Sequence, residues 1–132
     1  EPFRHILVPV DLDHPQASAK AMAHAQALAR EGEGRLTAIS IAPMIADDMA
    51  GSPPDYQAKL DRYVAGVEGE PKPEGELRIA GSVSGEVRYY AQESGADLIC
   101  MASHDPRASD DLIGSNAAHV ALHTECSVLV VR

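Results

Sequence analysis

Five short apolar runs, separated by segments with helical spacing, constrain the fold of this chain more than any other feature. Their hydrophobicity is nearly continuous rather than alternating, which is typical of strands buried on both faces. The runs are Ile6–Val10, Leu36–Ile41, Leu77–Ala80, Leu98–Met101 and Val128–Val131. Because strands of this kind need helices above and below them, the runs predict an α/β protein with a mostly parallel sheet.

Four segments between the runs carry apolar residues at helical spacing. The first, Gln16–Arg30, is rich in alanine, and Gly32 and Gly34 are signals for its end. For the third helix, Ser82 and Ser84 are both candidate N-caps. The stripes of the last three helices are Tyr56, Leu60, Val64 and Val67, then Val87, Tyr90, Ala91 and Ser94, and finally Ile113, Ala117, Val120 and Ala121. Strand and helix therefore alternate from one end of the chain to the other.

Length and charge narrow the class of protein. A chain of 132 residues can bury one core and is short for two, so we expect one domain over residues 1–132. Twenty acidic against eleven basic residues give a net charge of −9, which disfavours nucleic acid and anionic membrane surfaces as partners. No apolar stretch approaches the ~20 residues that span a bilayer, and no leader precedes the first strand, so we expect a cytoplasmic protein.

The residues just beyond the strands are the candidates for a binding site. In an open parallel sheet, ligands bind at the carboxyl ends of the strands, where the winding reverses. Three polar groups follow strands or open a helix there: Asp11 to His14, Ala102 to Arg107, and Gly114 to Asn116. If the first and fourth strands are neighbours, we expect all three groups to face one crevice.

Four landmarks of the chain, taken together and in order, resemble the universal stress protein family. They are Ile6–Asp11, Gly95–His104, the pair Gly114-Ser115, and the ending Cys126–Arg132. The resemblance spans the whole chain. It implies a Rossmann-like open sheet of five parallel strands ordered 3-2-1-4-5, with helices on both faces, and a homodimer formed through the last strand, Val128–Val131.

In one branch of that family the resemblance also implies a site for ATP or another adenine nucleotide, with Mg. The phosphates lie in a loop of the form Gly-x2-Gly-x9-Gly-Ser/Thr, because bare backbone can approach a phosphate closely. An acidic residue after the first strand and a branched residue in the second hold the ribose and adenine. The candidate nucleotide-binding residues carried over are Pro9, Val10, Asp11, Ile41, Met101, Ala102, Ser103, His104, Arg107, Gly114, Ser115 and Asn116.

The phosphate loop departs from that pattern. Ala102 and Asp105 stand where the first two glycines of the motif would be. Eight residues rather than nine separate Asp105 from Gly114. Pro106 removes one N–H donor. A carboxylate ~4 Å from a phosphate in a partly buried setting costs about 4 kcal/mol before relaxation. We therefore expect a degenerate nucleotide site in a stress-response protein that acts through protein interactions; the alternative is an ATP-binding switch with at most slow hydrolysis.

Metal-dependent chemistry is a remote alternative. Hard ligands gather in the same loops, at Asp11, Asp13, His14, His104 and Asp105, and could hold a divalent cation for hydrolysis. The simpler interpretation is that these side chains are solvated and cap the next helix. His119 and His123 share one helix face, but no third ligand lies near them in sequence.

Other catalytic signatures are missing from the sequence. Neither a Walker loop nor a Gly-x-Gly-x-x-Gly sequence occurs, and Cys100 and Cys126 form no metal or redox motif. We expect no resident metal, no catalytic residue and no enzyme activity beyond slow ATP hydrolysis.

The dimer is also predicted on physical grounds. A final strand with the sequence Val128-Leu129-Val130-Val131 at a sheet edge would expose unpaired backbone groups beside apolar side chains. Pairing with its own copy across a two-fold axis covers that edge.

Overall fold

A computed structural model describes residues 3–44, 53–103 and 115–132. The strands are β1 His5–Pro9, β2 Arg35–Pro43, β3 Glu74–Ala80, β4 Leu98–Ala102 and β5 Ser127–Val131. They form one sheet in the order β3-β2-β1-β4-β5, and every neighbouring pair is parallel. The predicted order 3-2-1-4-5 is confirmed, and β1 and β4 are neighbours.

Helices connect the strands along the chain. They are α1 Ala19–Gly32, α2 Pro53–Gly66, α3 Val83–Ser94 and α4 Ser115–His123. α1 begins three residues later than predicted, because Pro15–Ser18 form a separate 3-10 turn. Among the described residues, no helix combines the length and the apolarity that crossing a bilayer requires.

The core has two layers, one on each face of the sheet. Alternate residues of β1 point to opposite faces, so Ile6 and Val8 pack with α1 and α2, whereas Leu7 packs with α3 and α4. The members contributed by the helices are Ala21, Met22, Ala25 and Leu60 on one face, and Val87, Ala91, Ala117 and Val120 on the other. Helices on both faces of the sheet are therefore confirmed.

Two details of the prediction are corrected. β3 begins at Glu74 rather than Leu77, because this edge strand carries charged residues that an apolar pattern overlooks. Ala121 does not share the buried stripe of α4: it is exposed, while Ile113 lies outside the described residues. α1 ends at Gly32, as the glycine signal predicted, and the next residue, Glu33, has the left-handed conformation with φ 52°.

The ends of α3 answer a question that the sequence left open. Ser82 is the N-cap, and its hydroxyl accepts the N–H of Gly85 at 3.1 Å. Ser84 is buried instead. Gly95 ends the helix with φ 75°, a conformation that favours glycine.

Candidate functional site

The ladder between β1 and β4 stops short of their carboxyl ends. These strands are paired only at Ile6 with Leu98 and Leu7 with Ile99, although β1 is paired with β2 along its whole length. Successive residues of a strand direct their backbone groups to opposite neighbours, and the N–H of Val10 donates to β2. Pro9 therefore stands where an N–H toward β4 would be, and proline has none. The strands part at the point where the sheet order reverses.

The predicted residues at this end of β1 and β4 are brought together, but several of them face the core. Val10, Met101 and Ser103 are each less than 8% exposed. Pro9 and Ala102 are half-buried, as is Ile41, which lies at the same end of the neighbouring strand β2. The buried members belong to the core, whereas the half-buried ones keep part of their surface accessible at this end of the sheet.

Asp11 is the most exposed of the predicted residues that the structure describes with its side chain, at 54% of the side chain. One carboxylate oxygen accepts the N–H of Asp13 at 3.0 Å, and the other lies 3.3 Å from Nδ1 of His14. The carboxylate thus closes its own turn, as aspartates in loops commonly do.

The acidic residues near Asp11 are engaged individually. Asp13 lies 3.4 Å from Nζ of Lys59 on α2, and His14 is the partner of Asp11. In the described part of the chain, no three histidine, cysteine or acidic side chains gather closely enough to hold a metal ion. His104 and Asp105, which the sequence placed with them, lie outside the described residues.

The residue that follows β4 is hydrogen-bonded to the last strand. The N–H of Ser103 donates to the carbonyl oxygen of Val131 at 2.8 Å, so this amide does not point at a ligand. His104, Arg107 and Gly114 lie outside the described residues. α4 begins at Ser115 and continues through Asn116, which confirms a helix start at the predicted place.

A groove between α1 and α2 was missed by the sequence reasoning. It measures about 670 Å³ and is lined by Leu12, Met22, Tyr63 and Val67, with Lys59 and Arg62 among the polar residues. Burial raises the pKa of Tyr63, whose hydroxyl lies 3.4 Å from that of Ser18. The signal was the alanine-rich sequence of α1, because small side chains at successive turns leave space against a neighbouring helix.

Comparison with known proteins places the whole chain in one family. The family model described as "Universal stress protein family" matches residues 2–132. Universal stress protein G of Shigella flexneri is 30% identical over 98% of this chain and 99% of its own.

Solved structures agree on the fold. A universal stress protein in complex with cAMP superposes with a TM-score of 0.71 at 22% identity, over 100% of this chain and 99% of that one. The universal stress protein from Archaeoglobus fulgidus in complex with dAMP gives 0.63 at 17% identity, over 100% of both chains. With the strand order, the family model and the curated relative in agreement, the chain belongs to the universal stress protein family.

Proposed function

We propose that this chain is a cytoplasmic stress-response protein that works as a homodimer through β5 and acts by binding protein partners rather than by catalysis. The observation that carries the proposal is the difference between the two edges of the sheet. β3, at one edge, carries Arg78, which pairs with Glu76, Glu86 and Glu93. Charges of this kind are a common protection against edge-to-edge pairing.

β5, at the other edge, has no such protection. It has no charged residue, and the side chains of Val128 to Val131 are all half-buried. Because the carbonyl of Val131 faces β4, the alternation of backbone groups directs those of Val128 and Val130 outward. A second copy of the strand, related by a two-fold axis, would satisfy these groups and cover the apolar side chains.

The dimer is tested by adding charge at each edge. Val128→Lys introduces one charge on β5 of each copy, and hence two like charges in the proposed interface, whereas Ile79→Lys places the same charge on β3, where Ile79 is already 45% exposed. In size-exclusion chromatography with light scattering, we expect the wild type and Ile79→Lys at twice the chain mass of 14.0 kDa. Val128→Lys should elute as a folded monomer, with its helical circular dichroism retained. A monomeric wild type, or a dimeric Val128→Lys, contradicts the proposal.

The second part of the proposal concerns the crevice between β1 and β4. We propose that Pro9, Asp11 and Ile41 contact the nucleoside of an adenine nucleotide, and that the loop from Ala102 to Asn116, with His104, Arg107, Gly114 and Ser115, takes at most one phosphate. Two observations support a site that is poor for a triphosphate. The N–H of Ser103 already donates to the carbonyl oxygen of Val131. Asp105 stands in the loop at the position where the family motif has a glycine, whose bare backbone lets a phosphate approach closely.

An ATP-binding switch is the competing candidate, and the complexes of two structural neighbours favour a monophosphate over it. Those neighbours hold cAMP and dAMP, each with a single phosphate. A monophosphate brings less charge to the Asp105 loop than ATP does, so its repulsion is smaller.

Calorimetry separates the two candidates. We expect AMP or cAMP to release heat on binding and MgATP to release none up to millimolar concentration. Asp11→Asn should weaken the binding of AMP. The double variant Ala102→Gly with Asp105→Gly should bind MgATP. If wild-type protein binds MgATP as tightly as AMP, the site is not degenerate and the switch is the better function. The dimer proposal is unaffected by either result, because it is measured by mass alone.

A further inference from the structure

A second cleft lies at the amino ends of β4 and β5, at the opposite end of the sheet from the nucleotide crevice. It measures about 670 Å³ and lies between α3 and the segment that joins α4 to β5. The residues that matter here are Arg88, Tyr89, Gln92, His123, Thr124 and Cys126. The volume falls in the ~300–1,000 Å³ range of small-molecule sites. None of the candidate nucleotide-binding residues that the structure describes lines it.

Arg88 is the most informative residue of this cleft. It is half-buried, and its Nε–H is buried with no acceptor in the described part of the chain. Arg78, at the end of β3, shows the contrast, because three glutamates surround its guanidinium. Buried donors are nearly always paired, and this chain has twenty acidic residues to draw on. Because Arg88 also lines the cleft, an anion bound there would supply an acceptor for its guanidinium.

The acidic residues beside the cleft do not neutralise Arg88. Asp97 is turned toward β1, where its carboxylate accepts the N–H of Arg4 at 2.9 Å and that of His5 at 3.0 Å. Glu125 is exposed and is not paired with Arg88. The positive charge of Arg88 thus remains available.

The remaining walls fit the body of a small ligand. Tyr89 is 55% exposed and adds an aromatic ring to the cleft lining. The hydroxyl of Thr124, 3.4 Å from the thiol of Cys126, and the imidazole of His123 add polar groups on the opposite wall. Aromatic and cationic side chains together are suited to planar anions.

We propose that this cleft binds a small organic anion whose carboxylate or phosphate accepts hydrogen bonds from Arg88 and whose planar body packs on Tyr89. The site is separate from the nucleotide crevice and does not depend on the proposed function. A ligand bound here would be sensed at the amino end of the sheet, away from the nucleotide crevice.

The test is an NMR titration of ¹⁵N-labelled protein with phenyl phosphate, benzoate and the neutral benzyl alcohol. We expect the Nε–H signal of Arg88, assigned by its loss in Arg88→Lys, to shift saturably with one or both anions and not with benzyl alcohol. Whichever anion binds more tightly identifies the head group. Amide shifts near Gln92 and Cys126, rather than near Asp11, would place the ligand in this cleft.

Matched variants make the outcome decisive. Arg88→Gln should lower the affinity for the anion by about tenfold, because a charge-assisted hydrogen bond is lost. Glu125→Gln should tighten it by about twofold, because a nearby negative charge is removed. Arg62→Gln, which removes an exposed arginine on α2, is the control and should change nothing. No saturable shift, equal binding of benzyl alcohol, or unchanged affinity in a folded Arg88→Gln would each overturn the proposal.

Discussion

The backbone N–H of Ser103 donates to the carbonyl oxygen of Val131 at 2.8 Å, so the residue that follows β4 is held by the last residue of β5. The start of the loop proposed to contact a nucleotide and the proposed dimer edge are therefore connected through one pair of strands. The same register continues down the ladder, where Ala102 is paired with Val131 and Met101 with Val130. The last residues of the chain support the loop as well as the edge.

Shortening the chain tests that support. Removal of Val131 and Arg132 leaves the Ser103 amide without its acceptor and deletes a half-buried side chain from the core. We expect the free energy of unfolding in urea to fall by about 1–3 kcal/mol, the usual effect of an unpaired buried donor. Removal of the exposed Arg132 alone is the control and should change it by less than about 0.5 kcal/mol. Equal stability of the two shortened chains would show that this hydrogen bond contributes nothing.

The buried imidazole of His5 should make the stability of the protein depend on pH. Its imidazole is buried, with Nε2 2.9 Å from the Thr37 hydroxyl, and burial, followed by the charge of Arg35, lowers the pKa of His5 below 6.5. The unfolded chain then takes up a proton at this residue before the folded chain does, so stability is full above the ordinary pKa and falls as the pH drops through it.

Urea unfolding at a series of pH values measures this effect. The wild type should lose stability as the pH falls below about 6.5, and His5→Gln should lose less of it over the same range. His24→Gln removes an exposed histidine on α1 and should leave the wild-type slope unchanged. A His5→Gln slope identical to the wild type would contradict the assignment.

Gly34 tests a close approach of two backbone segments. A Cβ at this position would lie 2.6 Å from the carbonyl oxygen of Phe3 and 2.9 Å from that of Arg4. Because backbone atoms cannot move aside as a flexible side chain can, we expect Gly34→Ala to destabilise the protein by about 1–3 kcal/mol. Gly81→Ala, with nothing within 4 Å of the added atom, is the matched control and should be nearly neutral. Thermal melting of both variants compares them directly.

The two cysteines should differ in reactivity. Cys100 is fully buried, its thiol lies 3.2 Å from the carbonyl oxygen of Ala21, and burial raises its pKa to about 11. Since the thiolate is the nucleophile, Cys100 should resist iodoacetamide at neutral pH, whereas the half-buried Cys126 should react. Mass spectrometry should find one addition in native protein and two in concentrated urea. Cys126→Ser should show none in the native state; an addition there would mean that Cys100 opens to solvent.

Much of the architecture could be predicted from the sequence because it depends on local patterns. The near-continuous apolar run Ile6–Val10 is typical of a strand covered on both faces, and the structure packs Leu7 and Val8 into opposite layers. The strand order came from the family resemblance rather than from the pattern, and it is confirmed.

Features that depend on distant residues could not be predicted in this way. The start of β3 at Glu74 is decided by pairing with Thr37 on β2, and no local pattern reports that contact. The bridge from Asp97 to the amides of Arg4 and His5 joins residues more than ninety positions apart.

The sequence by itself therefore determined which segments are strands and helices and which of their faces are buried, because a periodic pattern records burial along one element. Only the tertiary structure decided where the Ser103 amide finds its acceptor and why the Nε–H of Arg88 has none among the described residues. Both depend on which surfaces meet, and that is a property of elements brought together from separate parts of the chain.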